Sequence, residues 1–558
     1  MHAIRVAGLS AVAVLLSVLA ACGGGGDGEA ADSTDTSQPG LGPDTGAVGQ
    51  FVAACSGTGC GAVDSQTYGG SGIGVWRYAN VGTGNATVPV SIDGVAGKSV
   101  TLVFTNTGDT EVAIPSIRLD AAQTAARSVA RAEAPVPRFN RVPAVVRDFD
   151  VRAALEAAST GAASRPSARV APAAAVAVGA HREWNDYGGT ARATTLLAQR
   201  AAGDGRMVNL WVADAEYQPG KITAAMVDDL ASRFTAGDSA VYPMVTGLAG
   251  QPWGPYDAGP RLIGPEQDIN IVLLNLQPDG AAYGTIGYFF SLNNFLNEGN
   301  NLGQTSAEAL AIFLDTETLY LGGQSGFDLG VSTLAHEFLH MVNFYQRGVL
   351  LSAGHAAQYY VNETWLEEMT ALMMEDIVRT RLGQSRPAAD TELGQWLRAN
   401  PNCGFIRQWN PDPDSDCFSY DHASAFGSFL LRQFGLGFYR SLLRDTYSTW
   451  SEAVLDHAIR QAGGDGLHGA LRRWGANLAL LPASGLPGGY GYPQREEDGY
   501  VLRGYDGTAM QSVRVLPDHV PASLEPDAHF PVLRSVSGAR YTESVTVPPA
   551  TTLSVVVR

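Results

Sequence analysis

The chain has 558 residues, with 55 acidic residues against 37 basic ones and a formal net charge of −18 at pH 7. This acidic balance argues against nucleic acid as a partner, because binding to phosphates requires a basic surface. The length leaves room for about two to four domains.

The first segment has the features of an export signal. Arg5 gives a short positive region, residues 6–18 form a largely apolar run, and Leu19-Ala20-Ala21-Cys22 ends it. The run is too short to span a bilayer as a stable helix. Its end resembles a bacterial lipobox, which implies that residues 1–21 are a lipoprotein signal peptide and that Cys22 receives the lipid. A plain secretory signal with an incidental cysteine is the alternative.

This resemblance predicts where the protein resides. We expect export and lipid anchoring in the bacterial envelope, through a membrane contact at Cys22. Because no aspartate follows Cys22, the outer membrane is the default destination, on its periplasmic face or at the cell surface. Residues 22–50 are rich in Gly, Ser, Thr, Asp and Pro, and are predicted to be a flexible tether.

Two regions of different composition follow the tether. Residues 51–120 are predicted to be a small β domain, because apolar residues alternate at strand period around Val88–Ile92 and Val100–Phe104. Residues 121–176 are rich in Ala, Arg and Pro and form the only basic stretch of the chain. Two interpretations of this stretch stay open: a linker, which is the commoner case, or a propeptide that lies over an acidic cleft.

The region 177–488 begins with predicted strands. Apolar runs occur at Val208–Val212, Ile269–Leu274 and Ala311–Asp315, with a predicted helix at about 222–234 between the first two. We expect one of these strands to edge a cleft and to bind an extended ligand by strand addition.

His336-Glu337-Phe338-Leu339-His340 is the most informative feature of the chain. It lies on a predicted helix with a stop at Gly348. Residues four apart lie one above the other on a helix, so both imidazoles project toward one metal ion. The pattern therefore places zinc beside a general base, Glu337. The alternative is two core histidines bonded to backbone, but a chance match is expected only ~0.01 times per chain of this composition.

A third metal ligand has to come from elsewhere in the chain. The metzincin spacing is excluded, because Asn343 and Gln346 stand where that class has Gly and His. A second predicted helix carries Glu368, which lies three residues after Trp365 on an inward-facing side and is the predicted ligand. His355, in a predicted loop, is the competing ligand.

The glutamate before Glu368 has a different predicted role. Thr364-x-x-Glu367 matches a capping box, in which Glu367 reaches back to the start of the helix. This interpretation gives Glu367 a structural function and leaves Glu368 free for the metal.

These two segments together resemble a known group of enzymes. His336-Glu-x-x-His340 followed by Trp365-Leu-Glu-Glu368-Met-Thr-Ala371 resembles the gluzincin metallopeptidases, in whose W-L-x-E-G-x-A segment the Glu is the third zinc ligand. The chain is most similar to the hyicolysin family of bacterial neutral metallopeptidases, over residues 177–480. It departs from the gluzincin pattern at Met369, where Gly is usual. It also has Leu372 where the thermolysin branch has an acidic residue, so no carboxylate partner for a ligand histidine is identifiable.

The resemblance implies further site features. It implies one catalytic zinc ion, held by His336, His340 and Glu368, and nothing in the sequence indicates a structural calcium ion. Related enzymes often use a downstream tyrosine to donate to the oxyanion of the intermediate. Tyr420 matches that position loosely, and His422 is the alternative donor. A Tyr and a His bonded to backbone at a helix start is an equally common arrangement.

The cysteines agree with export. With Cys22 acylated, four remain, in the sequence-local pairs Cys55/Cys60 and Cys403/Cys417, each suited to close a small loop as a disulfide. The second loop is acidic and precedes Tyr420, so it is a candidate wall of the cleft, although acidic loops are more often merely solvated.

The remaining segments complete the predicted architecture. Helical patterns follow Glu368, and residues 489–558 return to β signals, with Tyr541–Val547 and Thr551–Val557 as a terminal pair of strands. The fold class is therefore an α+β zincin-like catalytic domain, with a mixed sheet and then helices around a buried HExxH helix, flanked by small all-β domains.

The expected function is that of a zinc-dependent endopeptidase. It would hydrolyse peptide bonds of a protein or peptide substrate with a zinc-activated water and Glu337 as the general base. The alternative is a catalytically inactive zincin-fold surface lipoprotein that acts as a binding or adhesion module. The intact Glu337 favours the enzyme, because a decayed site usually loses the base before the ligands.

Overall fold

A computed structural model of the chain describes residues 49–120, 123, 140–160, 176–256, 261–298, 302–352, 359–384, 390–481, 485–512 and 514–558. The predicted signal peptide, Cys22, almost all of the tether, most of the basic stretch and His355 lie outside the described residues. Within the described ranges, none of the helices is both long enough and apolar enough to cross a bilayer.

The strands are numbered in chain order. They are β1 (Val52–Ala53), β2 (Gly74–Asn80), β3 (Ala86–Asp93), β4 (Val100–Asn106), β5 (Val112–Ala113), β6 (His181–Asn185), β7 (Ala191–Ala201), β8 (Met207–Ala213), β9 (Ile269–Leu274), β10 (Gly287–Phe289), β11 (Leu310–Asp315), β12 (Arg495–Glu497), β13 (Tyr500–Leu502), β14 (Ser523–Leu524), β15 (His529–Arg534), β16 (Arg540–Val547) and β17 (Thr551–Val557).

The α-helices are numbered in the same way. They are α1 (Ala144–Arg147), α2 (Val151–Thr160), α3 (Ala224–Thr235), α4 (Val241–Ala249), α5 (Thr316–Leu321), α6 (Gly323–Asn343), α7 (Thr364–Arg381), α8 (Glu392–Arg398), α9 (Ser419–Arg444), α10 (Ser451–Gln461) and α11 (Leu467–Leu480). Short 3-10 turns occupy Ser291–Asn294 and Gly507–Met510.

Six strands form one mixed sheet in the order β10-β11-β9-β8-β7-β6. The inner strands β8, β9 and β11 are parallel, and the outer strands run antiparallel to their neighbours. The three strands expected from their apolar runs are these inner strands, so the expectation that one of them edges the cleft is wrong. A continuous apolar run marks a strand that is covered on both faces. The edge strand is β10, which is only three residues long.

Both faces of this sheet are buried, by different partners. Along β9, Ile271 and Leu273 join the large core formed with the helices, whereas Val272 and Leu274 face a second, aromatic-rich core on the other side. This alternation follows from the two-residue period of a strand. Helix α6 packs on the first face, against β10 and β11.

Helix α6 is longer than the sequence predicted and does not stop at Gly348. It begins at Gly323 and continues into a π-helical stretch, Phe344–Leu351, which contains Gly348. The expected C-terminal stop is therefore wrong. Gly348 does not have the positive φ of a helix-ending glycine, and a Cβ atom at this position would lie at a tight 3.3 Å from Leu155 Cδ1.

Helix α7 lies between α6 and α9 in the helical part of the domain. The approach of α9 to α7 is close at Gly427, where a Cβ atom would lie 2.7 Å from Met373 Cγ. Helix α9 bends at Gly435, which has a φ of 81° that favours glycine. The small strand pair β12–β13 packs against α9, and the carboxylate of Glu497 accepts bonds from the backbone beside the bend.

Strands from the two ends of the chain belong to shared sheets. One sheet has the order β1-β2-β17-β4-β15, and two further pairs join β3 with β16 and β5 with β14. The sequence indicated β structure at each end, but the partners of these strands lie at the opposite end. Their apolar faces share one core, with Trp76, Leu102 and Val555 among its members. Local patterns carry no information on such distant pairing.

Both expected disulfides are present. Cys55 is bonded to Cys60, and Cys403 is bonded to Cys417. The prediction of two small cross-linked loops is confirmed.

Candidate active site

Helices α6 and α7 bring together the three side chains that the sequence indicated as metal ligands. His336 Nε2 lies 3.1 Å from Glu368 Oε2, and His340 Nε2 lies 3.8 Å from the same oxygen. The donor atoms of the three residues are all within 4.8 Å of one another. Two imidazoles and one carboxylate form a donor set that zinc uses at catalytic sites, where a fourth position stays open.

The second nitrogen of each histidine faces its own carboxylate. His336 Nδ1 lies 2.9 Å from Glu375 Oε1, and His340 Nδ1 lies 3.0 Å from Glu367 Oε1. The His340 contact is a hydrogen bond, whereas the His336 contact has the distance of an ion pair without the alignment of a hydrogen bond. A carboxylate beside Nδ1 orients the ring and leaves Nε2 as the atom that binds a metal. The residues present therefore fit a metal ion held through both Nε2 atoms and Glu368.

Burial and charge oppose each other at these histidines. Burial lowers the pKa of His336, but Glu368 and Glu375 act in the opposite sense and raise it well above the ordinary value. The same competition at His340, with Glu367 as the main partner, also raises its pKa. The site thus has strong negative potential, which suits a divalent cation.

Glu367 does not have the predicted role in helix capping. Glu363 is the N-cap of α7, none of the described side chains caps it, and Thr364 is already the first helical residue. Besides His340, Glu367 accepts hydrogen bonds from Asn343 Nδ2 at 3.0 Å and from Asn362 Nδ2 at 2.9 Å. It is a positioning residue that sequence reasoning assigned to local helix structure.

Glu375 is a positioning residue that the sequence analysis missed. Leu372 occupies the position four residues after Glu368, where the thermolysin branch has its acidic residue, and Glu375 lies seven residues after Glu368. Seven residues are nearly two full helical turns, so both carboxylates lie on one face of α7. Arg379 holds Glu375 from the next turn, with 2.5 Å between Nη2 and Oε2. The seven-residue spacing is the signal that would have found it.

The candidate base, Glu337, is buried beside the donor set and has partners on both oxygens. Oε2 accepts a hydrogen bond from Phe289 N at 2.8 Å, and Oε1 accepts one from Asn140 Nδ2 at 3.0 Å. Burial raises the pKa of Glu337, while His336 and His340 lower it. The net effect is a pKa above the ordinary value of a glutamate.

Of the two candidate oxyanion donors, only Tyr420 is close to the donor set. Burial raises the pKa of Tyr420 well above its ordinary value, and the carboxylates of Glu368 and Glu337 add to this shift. The phenol therefore stays protonated and able to donate. Its ring packs against Trp409, with 4.9 Å between ring centroids. Trp409 belongs to the Cys403–Cys417 loop, so that loop reaches the site through an aromatic residue.

His422 lies two residues after Tyr420 on α9, about half a turn away, and has different partners. Its Nδ1 is 3.2 Å from Phe418 O, and its Nε2 is 3.0 Å from Asn400 O. Burial lowers its pKa, which favours a neutral imidazole bonded to backbone. This is the structural arrangement that the sequence analysis had set beside the catalytic one.

A cavity of about 420 Å³ opens beside the donor set. Glu337, His340 and Glu368 form its polar wall, and Phe289 and Phe344 are part of its apolar lining. Residues 142 and 146–152, from the basic stretch before the catalytic domain, close it on another side. A cavity of this size with a few converging polar groups is typical of a substrate site.

Comparisons with known proteins were made for the whole chain. A family model described as Peptidase M30 matches residues 188–558, and a model of a domain of unknown function, DUF8571, matches residues 53–119. A search of curated proteins returned no relative.

Solved structures with similarity to the chain include variants of M1 zinc metallopeptidases. One, from Deinococcus radiodurans, is 12% identical with a TM-score of 0.29, and the match covers 52% of this chain and 53% of that one. A two-domain M1 enzyme bound to L-arginine is 11% identical with a TM-score of 0.27, covering 50% and 51%. Another, bound to L-tryptophan, is 14% identical with a TM-score of 0.28, covering 52% of each chain. The chain spans about half the length of these structures.

Proposed function

The chain belongs to the peptidase M30 family, and on that premise we propose that it is a zinc-dependent endopeptidase of the hyicolysin type that cleaves internal peptide bonds. The observation that carries the proposal is the joint position of His336, His340 and Glu368, with the buried Glu337 beside them. A peptide or protein is the substrate class that the family implies.

The side chains of the site have different proposed roles in the reaction. His336, His340 and Glu368 would hold the zinc ion, which supplies a Lewis acid that polarises a carbonyl and activates water. Glu337 takes a proton from the attacking water and passes it to the leaving amine, so that an amine and a carboxylate are the products. Its place beside the donor set, fixed by hydrogen bonds to both oxygens, suits it to this transfer.

Tyr420 is the proposed donor to the oxyanion that develops on the scissile carbonyl. It remains protonated because burial and two neighbouring carboxylates raise its pKa. Trp409 packs on its ring and limits its movement. A donor that is already oriented loses little free energy to reorganisation when charge develops.

The edge strand β10 supports an extended substrate. It lies beside α6 and runs antiparallel to β11, so its outer side is free of strand partners within the six-stranded sheet. A peptide that adds to this edge would pass the donor set in an extended form. The apolar lining of the cavity favours an apolar side chain next to the cleaved bond.

Attachment to the bacterial envelope is part of the proposal and rests on the sequence alone. The lipobox-like segment ending at Cys22 supports a lipid anchor, and residues 23–50 would act as the tether. In a Cys22→Ser variant we expect the protein to leave the membrane fraction or to mature incompletely. A wild-type protein that is soluble and carries no lipid would contradict this part.

The catalytic proposal is tested with four purified proteins: the wild type, Glu337→Gln, Tyr420→Phe and His422→Ala. Zinc content and thermal unfolding are measured first, and then cleavage of a broad peptide library. Glu337→Gln should retain zinc and lose about 10²-fold or more in turnover, since only the base is removed. Tyr420→Phe should lose a comparable ~10²–10³-fold in kcat with a smaller change in KM.

The His422→Ala protein is the matched control. It lies on the same helix as Tyr420 and should change stability rather than the kcat of the folded fraction. Full cleavage by Glu337→Gln would remove this glutamate from the mechanism. Zinc-loaded proteins that bind peptides without cleaving any would favour the inactive binding module instead.

A further inference from the structure

Residues 140–152, which we call the strap, lie against the edge of the six-stranded sheet. Arg141 N donates to Gly284 O at 2.8 Å, and Arg141 O accepts from Thr285 Oγ1 at 2.9 Å. Asn140 forms a parallel bridge with Gly284. The strap therefore runs alongside the chain that leads into β10, at the edge where an added strand would pair.

The side chain of Asn140 continues this pairing toward the site. Its Oδ1 accepts from Ile286 N at 2.8 Å and from Gly287 N at 3.1 Å, and its Nδ2 donates to Gly287 O at 2.7 Å. A carboxamide has the donor and acceptor of a peptide group, so Asn140 uses the backbone groups of the edge as a bound peptide would. The same Nδ2 also donates to Glu337 Oε1 at 3.0 Å.

Apolar contacts and charge hold the rest of the strap over the cleft. Val142, Val146 and Phe149 pack against the aromatic-rich core on the outer face of the sheet. The hydrogen bond with Asp148 raises the pKa of Arg147, and the negative charge of the Glu368 carboxylate acts in the same direction. The positive strap thus faces the acidic donor set, and several of its residues line the cavity beside that set.

Neither of the two family models covers the strap. The Peptidase M30 match begins at residue 188, and the DUF8571 match ends at residue 119. The strap lies between the two matches.

We propose that the strap is a built-in inhibitor, which occupies the peptide-binding edge and one oxygen of Glu337 and has to leave the groove before a substrate can enter. This inference rests on the proposed peptidase function, because it assigns the regulation of that same site. Only molecules in which the strap has left the groove can bind a ligand there. The apparent affinity for any ligand of the groove is therefore lowered in proportion to the fraction of such molecules.

Two variants loosen the strap by different contacts. Asn140→Ala removes the amide that pairs with the edge and with Glu337, whereas the double variant Val142→Ala/Val146→Ala weakens the apolar anchors and leaves Asn140 in place. Val145→Ala is the matched control, since Val145 lies on the same short helix and is 37% exposed. Hydrogen exchange at Ile286 N and Gly287 N reports directly whether the strap has left the edge.

The measurements are the affinity of the zinc-loaded proteins for a peptide hydroxamate and kcat/KM on a peptide substrate. Both loosened variants should bind the hydroxamate about tenfold more tightly than the wild type and exchange the two amides faster, while Val145→Ala matches the wild type. For the double variant kcat/KM should rise by a similar factor. Unchanged or weaker hydroxamate binding in both variants would overturn the proposal, because it would make Asn140 a positioning residue.

Failure of the catalytic proposal gives a different result. If no protein cleaves any peptide but the loosened variants still bind the hydroxamate more tightly, the strap is an inhibitor of a groove that only binds. If the wild type cleaves peptides and loosening slows it without tighter binding, the peptidase stands and the inhibitory strap is wrong.

Discussion

Glu375 Oε1 lies 2.9 Å from Nδ1 of the ligand histidine His336, although these residues are on different helices and 39 positions apart. Glu375 is itself held by Arg379. Zinc affinity depends on such partners because they orient the ring before the metal arrives. The contact is therefore the basis of a specific expectation for a residue outside the HExxH motif.

Replacing Glu375 by Gln should lower zinc affinity by about 10–100-fold while leaving the three ligands in place. The amide keeps the size of the side chain but removes the charge that orients His336. The measurement is a competition titration with a zinc-binding dye. Glu496→Gln, at an exposed position on β12, is the control for loss of one negative charge and should bind zinc as the wild type does.

Adjacent glutamates on α7 should behave differently. Glu368→Gln removes a predicted metal ligand and should leave the purified protein without stoichiometric zinc. Glu367→Gln should retain zinc with affinity reduced by about 10–100-fold, because it only orients His340. Metal analysis after dialysis against a weak chelator distinguishes the two, and full zinc in Glu368→Gln would refute the ligand assignment.

Gly427→Ala should destabilise the protein by about 1 kcal/mol, despite the better helix propensity of alanine. The new methyl group would lie 2.7 Å from Met373 Cγ and would push α9 away from α7, which carries Glu368. Urea unfolding measures the effect. Gly437→Ala on the same helix is the control, since its methyl group meets only Glu497 Oε1, at an ordinary 3.5 Å. Partial rescue of Gly427→Ala by Met373→Ala would identify the clash as the cause.

Asp527 should make stability depend on pH. Burial raises its pKa to about 7, against the opposing effect of Arg407. In the unfolded chain the carboxyl has its ordinary pKa near 3.8. Below that value both states hold the proton and Asp527 contributes nothing. As the pH rises toward 7 the unfolded state releases its proton first, so stability falls, by at most about 4 kcal/mol.

An Asp527→Asn variant removes this dependence. We expect it to match the wild type near pH 4 and to be more stable at pH 8, as measured by thermal unfolding across the pH range. Asp412→Asn, at an exposed loop position, should show no such divergence. A wild type whose stability relative to Asp527→Asn does not change with pH would contradict the raised pKa.

Most of the metal site could be predicted from the sequence, because the site depends on spacing within single helices. Two histidines four apart on one helix, and a glutamate next to a buried tryptophan on the next, are patterns within single elements. Glu367 was wrongly assigned to helix capping, because a capping box is also a local pattern. The helix begins one residue earlier than that pattern requires, and Glu367 instead contacts His340. The spacing of seven residues places Glu375 on the same face of α7 as Glu368, but its contact with a histidine on another helix is not encoded in that spacing. Asn140 lies 197 residues before Glu337, so no local pattern indicates their contact.

The fold shows the same division between local and distant information. Strands β3, β4, β16 and β17 lie where apolar alternation placed them, and helices α9, α10 and α11 occupy the region after Glu368 that the sequence indicated as helical. The short edge strand β10 was missed, because three residues give too little alternation to recognise. The order of strands in the sheets depends on contacts between regions that are far apart in the chain, as the pairing of β2 with β17 shows.

The place of β17 between β2 and β4 has a consequence for the order in which this protein is made. Asn80, at the end of β2, donates to Val547 O, which lies 467 residues later. Strands β2 and β4 therefore leave the ribosome long before β17, which pairs with both, has been synthesised. Until β17 has been synthesised, their unpaired edges are exposed to other chains, which is a known route to aggregation. Chaperone protection of the early strands would then matter more for the yield of this protein than for its final stability, and the metal-site helices have time to assemble first.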